Sequence, residues 1–352
     1  MLICALLVIA CGLATVLSAS HTPGRLFSSL FIRQATWTGI GLLAMLTALT
    51  FDYHFLDRYG YVFYAMVVVL LVLVAALGSS GGGARRWIAL GPASIQPSEL
   101  AKLAITIVLA SCLHRHVSDR TLTLRALVLP LVLVLPPAAL ILKQPDLGTA
   151  IVVALAAGTI LLTSGLRLRW VAYVVAVAAP VVPYIWRHLK TYQQRRILMF
   201  FNPDADPLGA GYHIIQSKIA IGSGMLHGRG YLHGTQNRLN FLPEQHTDFI
   251  FSVFAEEWGF IGACVLLALY AALLLRCYIV ITRARDSFGV LLAFGLTATL
   301  FCQVLVNIAM AAGALPVVGV TLPFFSYGGS SMLVSLTAIG LLMNISMRRF
   351  TF

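Results

Sequence analysis

Charge is scarce in this chain of 352 residues: 10% are Asp, Glu, Lys or Arg, against about 25% in an average soluble domain. Apolar residues make up 59% and the mean hydropathy is +0.91. Too little polar surface remains to wrap a soluble core. A cytosolic globular enzyme and a disordered chain are therefore excluded. Acidic residues number 12 against 24 basic ones, yet no long basic run occurs. The positive excess thus does not point to nucleic acid; anionic lipid, or a lipid substrate bearing phosphate, suits scattered loop arginines better. Cysteine is limited to Cys4, Cys11, Cys112, Cys264, Cys277 and Cys302, all inside apolar runs and without metal-ligand spacing. They read as small buried hydrophobes, which excludes a disulfide-built protein. An ATP-binding loop and a large cytoplasmic domain are also missing, so any energy for chemistry arrives with the substrate or from an ion gradient.

What the chain has is long apolar runs, the mark of an all-α polytopic membrane protein. Ten transmembrane helices are predicted, at about 2–18, 34–51, 59–78, 98–114, 124–142, 146–166, 169–187, 248–281, 288–313 and 324–346. The first lacks the basic start of a cleaved signal peptide, and the chain begins so close to it that a short leader is expected to be missing. Basic residues set the orientation. With both termini cytoplasmic, the inner loops hold Arg58, Arg115, Arg120, Arg125, Arg167, Arg169, Arg276, Arg283, Arg285, Arg348 and Arg349. The short outer loops hold only Arg25, Arg33, Arg85, Arg86, Lys102 and Lys143. The long loop between helices 7 and 8, about 188–247, then lies outside, with the unusual polar chemistry of the chain.

Four clusters carry that chemistry. Arg85, Arg86 and Trp87 precede Gln96-Pro97-Ser98-Glu99 and Lys102. Paired guanidiniums grip phosphate oxygens in a bidentate way, and Trp87 suits an interface or a sugar face; interfacial anchoring explains them equally. Glu99 and Lys102 share a helix face as an ion pair. In the second cluster, Lys143-Gln144-Pro145-Asp146, the carboxylate of Asp146 opens a span as a helix cap, and Lys143 doubles as a snorkelling residue. The third runs from Gly228 through Gly234-Thr235-Gln236 to Glu244-Gln245-His246-Thr247-Asp248-Phe249. Asp248 sits at the outer mouth of a span, as either a cap or a base facing a cavity, with Glu244, His246 and Thr247 near enough to orient it. Glu256 and Glu257 follow at hydrocarbon depth and read as a structural polar network. The fourth, 319–331, contains Ser326 among small residues suited to close packing or to a ligand. His114-Arg115-His116 reads as a solvated loop.

In order and spacing these clusters resemble the SEDS family (shape, elongation, division and sporulation proteins), and its elongation-type rather than its division-type branch. The likeness covers nearly the whole chain as one integral membrane domain, 1–352; Tyr231 departs from an expected Trp. The resemblance implies a peptidoglycan glycosyltransferase using lipid II, an undecaprenyl-pyrophosphate disaccharide-pentapeptide, in the bacterial inner membrane, with its site facing outward. It also implies a class B penicillin-binding protein and elongation-complex proteins as partners. Asp248 matches the family's essential carboxylate. Expected around the substrate are Arg85, Arg86, Trp87, Gln96, Ser98, Lys102, Lys143, Glu244, His246 and Ser326. Expected in a supporting polar network are Glu99, Asp146, Glu256 and Glu257. No residue cluster specifies a metal; Mg2+ or Mn2+ at the pyrophosphate stays an open alternative to the basic side chains. A lipid II flippase and a non-catalytic scaffold are the competing readings.

Overall fold

The computed structural model describes residues 1–20, 27–81, 84–90, 93–115, 124–165, 211–238 and 245–348, with isolated positions at 180, 183, 187, 194, 198 and 241. Apolar runs become helices where a cap meets the free backbone N–H groups of the first turn. After α1 (Leu2–Ala19), Ser28 accepts from the N–H of Phe31 at 3.1 Å and starts α2 (Ser29–Thr50). That cap begins the helix five residues before the expected 34. Next come α3 (His54–Leu77), α4 (Pro97–Leu113), α5 (Leu124–Lys143) and α6 (Leu147–Thr163). The later elements are α7 (Tyr212–Ser223), the single turn α8 (Thr235–Arg238), α9 (Ile250–Arg283), α10 (Ser287–Ala311) and α11 (Gly329–Arg348).

The all-α expectation needs one correction. Between α3 and α4 the chain forms three short antiparallel strands, β1 (Ser79–Gly81), β2 (Ala84–Leu90) and β3 (Ala93–Ile95), in that order across the sheet. Glycine-rich backbone holds a helix poorly, and cross-strand pairing satisfies its amides instead.

Among the described residues, α1, α3, α9, α10 and α11 are long and apolar enough to cross a membrane, with α5 and α6 as shorter apolar helices. The chain is a multi-pass membrane protein. The expected span at 169–187 and most of the loop from 188 lie outside the described residues. Burial divides the helices as lipid solvent requires. Nearly every residue of α4 is buried, and it packs against α3, α5, α6 and α10. By contrast α3 turns Val62, Met66, Val69, Leu73 and Leu77 outward, an apolar face that water would penalise and hydrocarbon does not. The broad α2–α11 contact depends on small residues: a Cβ on Gly41 would overlap Leu336, and one on Gly340 the backbone of Met45, each at 2.6 Å.

Helix α9 is the second correction. Its 34 residues correspond to about 51 Å of helix, well beyond a hydrocarbon core of roughly 30 Å. It breaks at Gly259, whose φ of 67° and ψ of −166° are open to glycine alone. Glu256 and Glu257 therefore belong to a short helix ahead of the rod that starts at Phe260. The break frees backbone groups, and the loop after α7 takes them up. Arg229 and Gly230 donate to the carbonyls of Glu256 and Glu257 at 3.0 Å each. Phe260 and Ile261 donate to Met225 and Leu226 at 2.8 and 3.1 Å. Gly228, at φ +78°, lies so close to Glu257 that a Cβ would collide with its carbonyl.

The opposite end of the bundle is tied by polar side chains. Asn344 donates to the carbonyls of Ala48, Leu49 and Phe51 at the close of α2, and Asp286 caps α10 while accepting from the Tyr53 hydroxyl. His114 is not a free loop residue. It is half-buried, edge-on to Phe288 and 3.6 Å from Asp57; His116 lies outside the described residues.

Candidate active site

The four clusters, scattered over nearly 250 residues of sequence, meet where α4, α6, α9 and α11 begin. Strand β2 and the irregular segment 312–328 join them. Arg86 donates to the carbonyls of Gln144, at 3.0 Å, and of Pro145, which fastens the strands to the turn before α6. The N–H of Gln96 donates to Ser330 Oγ at 3.0 Å. Gly148 abuts the backbone of Val318 so closely that a Cβ would lie 2.6 Å from its carbonyl. Four helix beginnings bring partial positive charge to this one end.

Asp146 is 1% exposed and saturated. It accepts from Gln96 Nε2 at 2.9 Å, Ser98 Oγ at 3.0 Å, Thr149 N at 3.3 Å and Thr149 Oγ1 at 2.9 Å. Ser98 is equally buried, so its hydroxyl and the Gln96 amide are engaged in holding this carboxylate. One turn into α4, Lys102 Nζ lies 2.8 Å from the Glu99 carboxylate, both side chains nearly inaccessible. Asp146, Ser98, Glu99 and Lys102 brace the end of the bundle from within. Lys143 is exposed at the end of α5, and Trp87 is half-buried on β2. The side chain of Arg85 and the whole of Glu244 lie outside the described residues.

Asp248 is different in kind. It occupies the turn just before α9 and is half-buried. The turn is held through its backbone. Ser326 Oγ donates to the Thr247 carbonyl at 2.7 Å, and the N–H of Tyr327 donates to that of His246 at 2.8 Å. Asn307 Nδ2 reaches the carbonyl of Asp248 itself at 3.0 Å. The His246 ring stands edge-on to Tyr327, 5.6 Å between centroids. Ser326, only 4% exposed, also accepts from the N–H of Leu322 at 2.9 Å. Ser326, expected around the substrate, is thus part of the brace of this turn. Beside the carboxylate lies Gly319, at φ +75°. A Cβ built there would meet Asp248 Oδ2 at 3.5 Å and no other described atom within 4 Å. Among the described residues, nothing else closes this flank of Asp248.

The wall carrying this site has supports that the sequence reading missed. Gln34, buried on α2, donates to the Ser326 carbonyl at 3.0 Å and accepts from Gly328 N at 3.1 Å. Tyr270 donates to the Pro323 carbonyl at 2.6 Å. A glutamine or asparagine in an otherwise apolar span is costly unless bonded, and that was the available signal. Glu256, fully buried, accepts from Thr235 N at 2.7 Å, Thr235 Oγ1 at 3.0 Å and Gln236 N at 3.1 Å. Glu257 accepts from Ser18 on α1. The two glutamates thus tie the segment between α7 and α9, together with α1, to the short helix behind Asp248. Burial, and then the Glu257 carboxylate, push the Tyr231 hydroxyl above its ordinary pKa.

Among the described residues no three His, Cys, Asp or Glu side chains stand close enough to hold a metal ion. Among the described residues Asp146 already has its donors, which leaves Asp248 without a second carboxylate toward a cage for Mg2+ or Mn2+; such ions commonly bind through one or two carboxylates together with substrate phosphates.

The FtsW/RodA/SpoVE family profile, described as cell cycle protein, matches residues 1–350. The peptidoglycan glycosyltransferase MrdB of Escherichia coli K12 is 49% identical over 268 residues, 76% of this chain and 72% of that protein. The peptidoglycan glycosyltransferase RodA of Treponema pallidum is 33% identical, with 94% of this chain and 93% of that one covered. A chain of a solved peptidoglycan synthase complex, studied for its coordination of polymerization and crosslinking, superposes with a TM-score of 0.84 at 33% identity, covering 100% of this chain and 98% of that one. The rod shape determining protein RodA of Thermus thermophilus does so with 0.74 at 30%, covering 100% and 97%. With a match along nearly its whole length, the chain belongs to the FtsW/RodA/SpoVE family of cell cycle proteins, the SEDS family that its motifs resemble.

Proposed function

We propose that the chain is a peptidoglycan glycosyltransferase that polymerises lipid II during cell elongation, with Asp248 as its general base. One observation carries this reading: Asp248 is a carboxylate kept half-accessible, with no other described atom within 4 Å of the Gly319 Cβ position beside it and a backbone pinned from two other elements. A base must reach its proton and must not wander. The acceptor 4-hydroxyl attacks the anomeric carbon of the donor sugar from the face opposite the leaving group, and Asp248 takes the hydroxyl proton as the bond forms. The lipid pyrophosphate departs, and an α-linked donor becomes a β-1,4 bond. The helix beginnings and nearby basic side chains favour the departing anion. A divalent cation, when bound with the substrate, would supply further positive charge to the pyrophosphate.

The same reading places the chain in the bacterial inner membrane with ten spans, the loop at about 188–247 and Asp248 on the outer side, and a class B penicillin-binding protein beside it. The basic bias of the opposite loops supports that orientation, and the synthase complex among the structural relatives supports the partner. The test is polymerisation of purified lipid II by the full chain with its partner. Asp248→Asn is expected to lose about 10²–10⁴-fold in rate while staying folded. Full activity of a folded Asp248→Asn protein would remove the base role. Movement of labelled lipid II across vesicles with no polymer formed would identify a flippase instead.

A further inference from the structure

We propose that Asn307 on α10 is a positioning residue for this reaction, one that holds Asp248 in its working orientation; the proposal rests on the base role of Asp248. Asn307 is fully buried. Its amide nitrogen donates to two carbonyls, that of Asp248 at 3.0 Å and that of Val320 at 2.6 Å. Neither carbonyl has a place in a helix ladder. The first-turn bonds of α9 run from Ser252 and Val253 to Phe249, which leaves the Asp248 carbonyl outside. Val320 lies in the irregular segment before α11. In a membrane interior such carbonyls need donors from the protein.

One NH2 group serves both and so ties two pieces of chain together: the turn that carries the base and the strip that carries Gly319. That strip forms the wall at the open flank of the carboxylate, where the Gly319 Cβ position is 3.5 Å from Oδ2. Moving either piece changes the distance from base to incoming hydroxyl. The side-chain chemistry is restrictive. Two acceptors fix which end of the amide faces them. An aspartate of the same shape would oppose its oxygens to two carbonyls, and a serine has a single hydrogen to give. Among the described residues the buried amide oxygen of Asn307 has no hydrogen-bond partner, so the described bonds of this side chain are those of its nitrogen.

The experiment uses the full chain in the lipid II assay with its partner protein, with folding checked by melting temperature and gel filtration. Asn307→Ala is expected to lower kcat by about 10²-fold, the effect of a misplacement near 1 Å, with KM for lipid II within about twofold. Asn307→Asp is expected to lose at least as much. In an Asp248→Ala background, adding Asn307→Ala is expected to cost nothing further, because both act through one group. Wild-type kcat in folded Asn307→Ala, a rise in KM with kcat kept, or full multiplication of the two losses would each overturn the proposal. If the Ala protein does not fold, Asn307→Ser decides by the same kcat and KM criterion. If Asp248→Ala itself stays active, the base reading fails; if Asp248→Ala is dead and folded Asn307→Ala is normal, only the positioning role fails.

Discussion

Asp146 and Asp248 each stand at the beginning of a helix, at the same end of the bundle, the first directly after Pro145 and the second five residues after Pro243. Their surroundings differ. Asp146 accepts four hydrogen bonds from three side chains and a backbone amide, at 1% exposure. Asp248 is half-accessible, and the bonds that define its place reach the backbone of its turn from Ser326, Tyr327 and Asn307. A carboxylate wrapped by donors is a joint. One whose backbone is clamped and whose flank is open is positioned to act on something else. Composition and spacing rank the two alike, since either satisfies the rules for a cap; among the sequence signals only the family resemblance singles out Asp248.

The comparison breaks most sharply at Asp248. Asn in its place is expected to cut polymerisation by about 10²–10⁴-fold and to shift the melting temperature by only a few degrees, because the backbone bonds from Ser326, Tyr327 and Asn307 that hold its turn remain. A large stability loss there would make the two aspartates alike after all. The buried neighbour of Asp146 gives the converse case. Lys102→Met strands the Glu99 carboxylate inside the bundle, and removing one member of a buried pair costs about 3–5 kcal/mol. Urea or thermal unfolding in detergent checks it; an unchanged midpoint would show that water reaches Glu99. Asp146→Ala comes next. It removes a cap worth about 0.5–2 kcal/mol and leaves Gln96, Ser98 and Thr149 without their acceptor. Asp146→Asn keeps one oxygen and should recover part of the melting temperature with most of the activity. An Asp146→Ala protein of normal stability and no activity would move Asp146 into the reaction.

The smallest effect is expected at a third carboxylate, Asp52, at the opposite end. Burial works against its ionisation, but the His54 amide and ring, and Arg348, outweigh it and hold the group below its usual pKa. A lowered folded pKa stabilises above the unfolded value and is lost as pH falls through the folded one. Acidification below the ordinary carboxylate range should therefore loosen this end slightly, and added salt should mute the effect because the group is exposed. Hydrogen exchange at the start of α3, measured against pH, would show it. No change on acidification would mean that Asn344 holds the end without Asp52.

Much of the architecture is legible in the residues because lipid permits few solutions. An apolar run of about 20 residues must be a helix, since no water is present to satisfy its backbone, and α1, α3, α10 and α11 fall close to their expected places. The break at Gly259 is hidden, because the helical pattern of apolar residues continues through it. Only the approach of Gly228 and the four backbone bonds between loop and helix make the kink affordable. The small sheet is hidden as well, since the glycines of 78–83 forbid a regular helix without saying what replaces it.

The side chains of the site divide along the same line. Composition and spacing determine by themselves that the chain lives in a membrane, where its helices run and which polar clusters are out of place in hydrocarbon, because solvent chemistry acts residue by residue. Which carboxylate is wrapped and which is more accessible depends on Gln96 and Ser98, on Asn307, and on Gly319 and Ser326, which meet the two aspartates from separate elements of the fold. Hydrogen-bond partnership is a property of positions in space, so only the tertiary structure decides it.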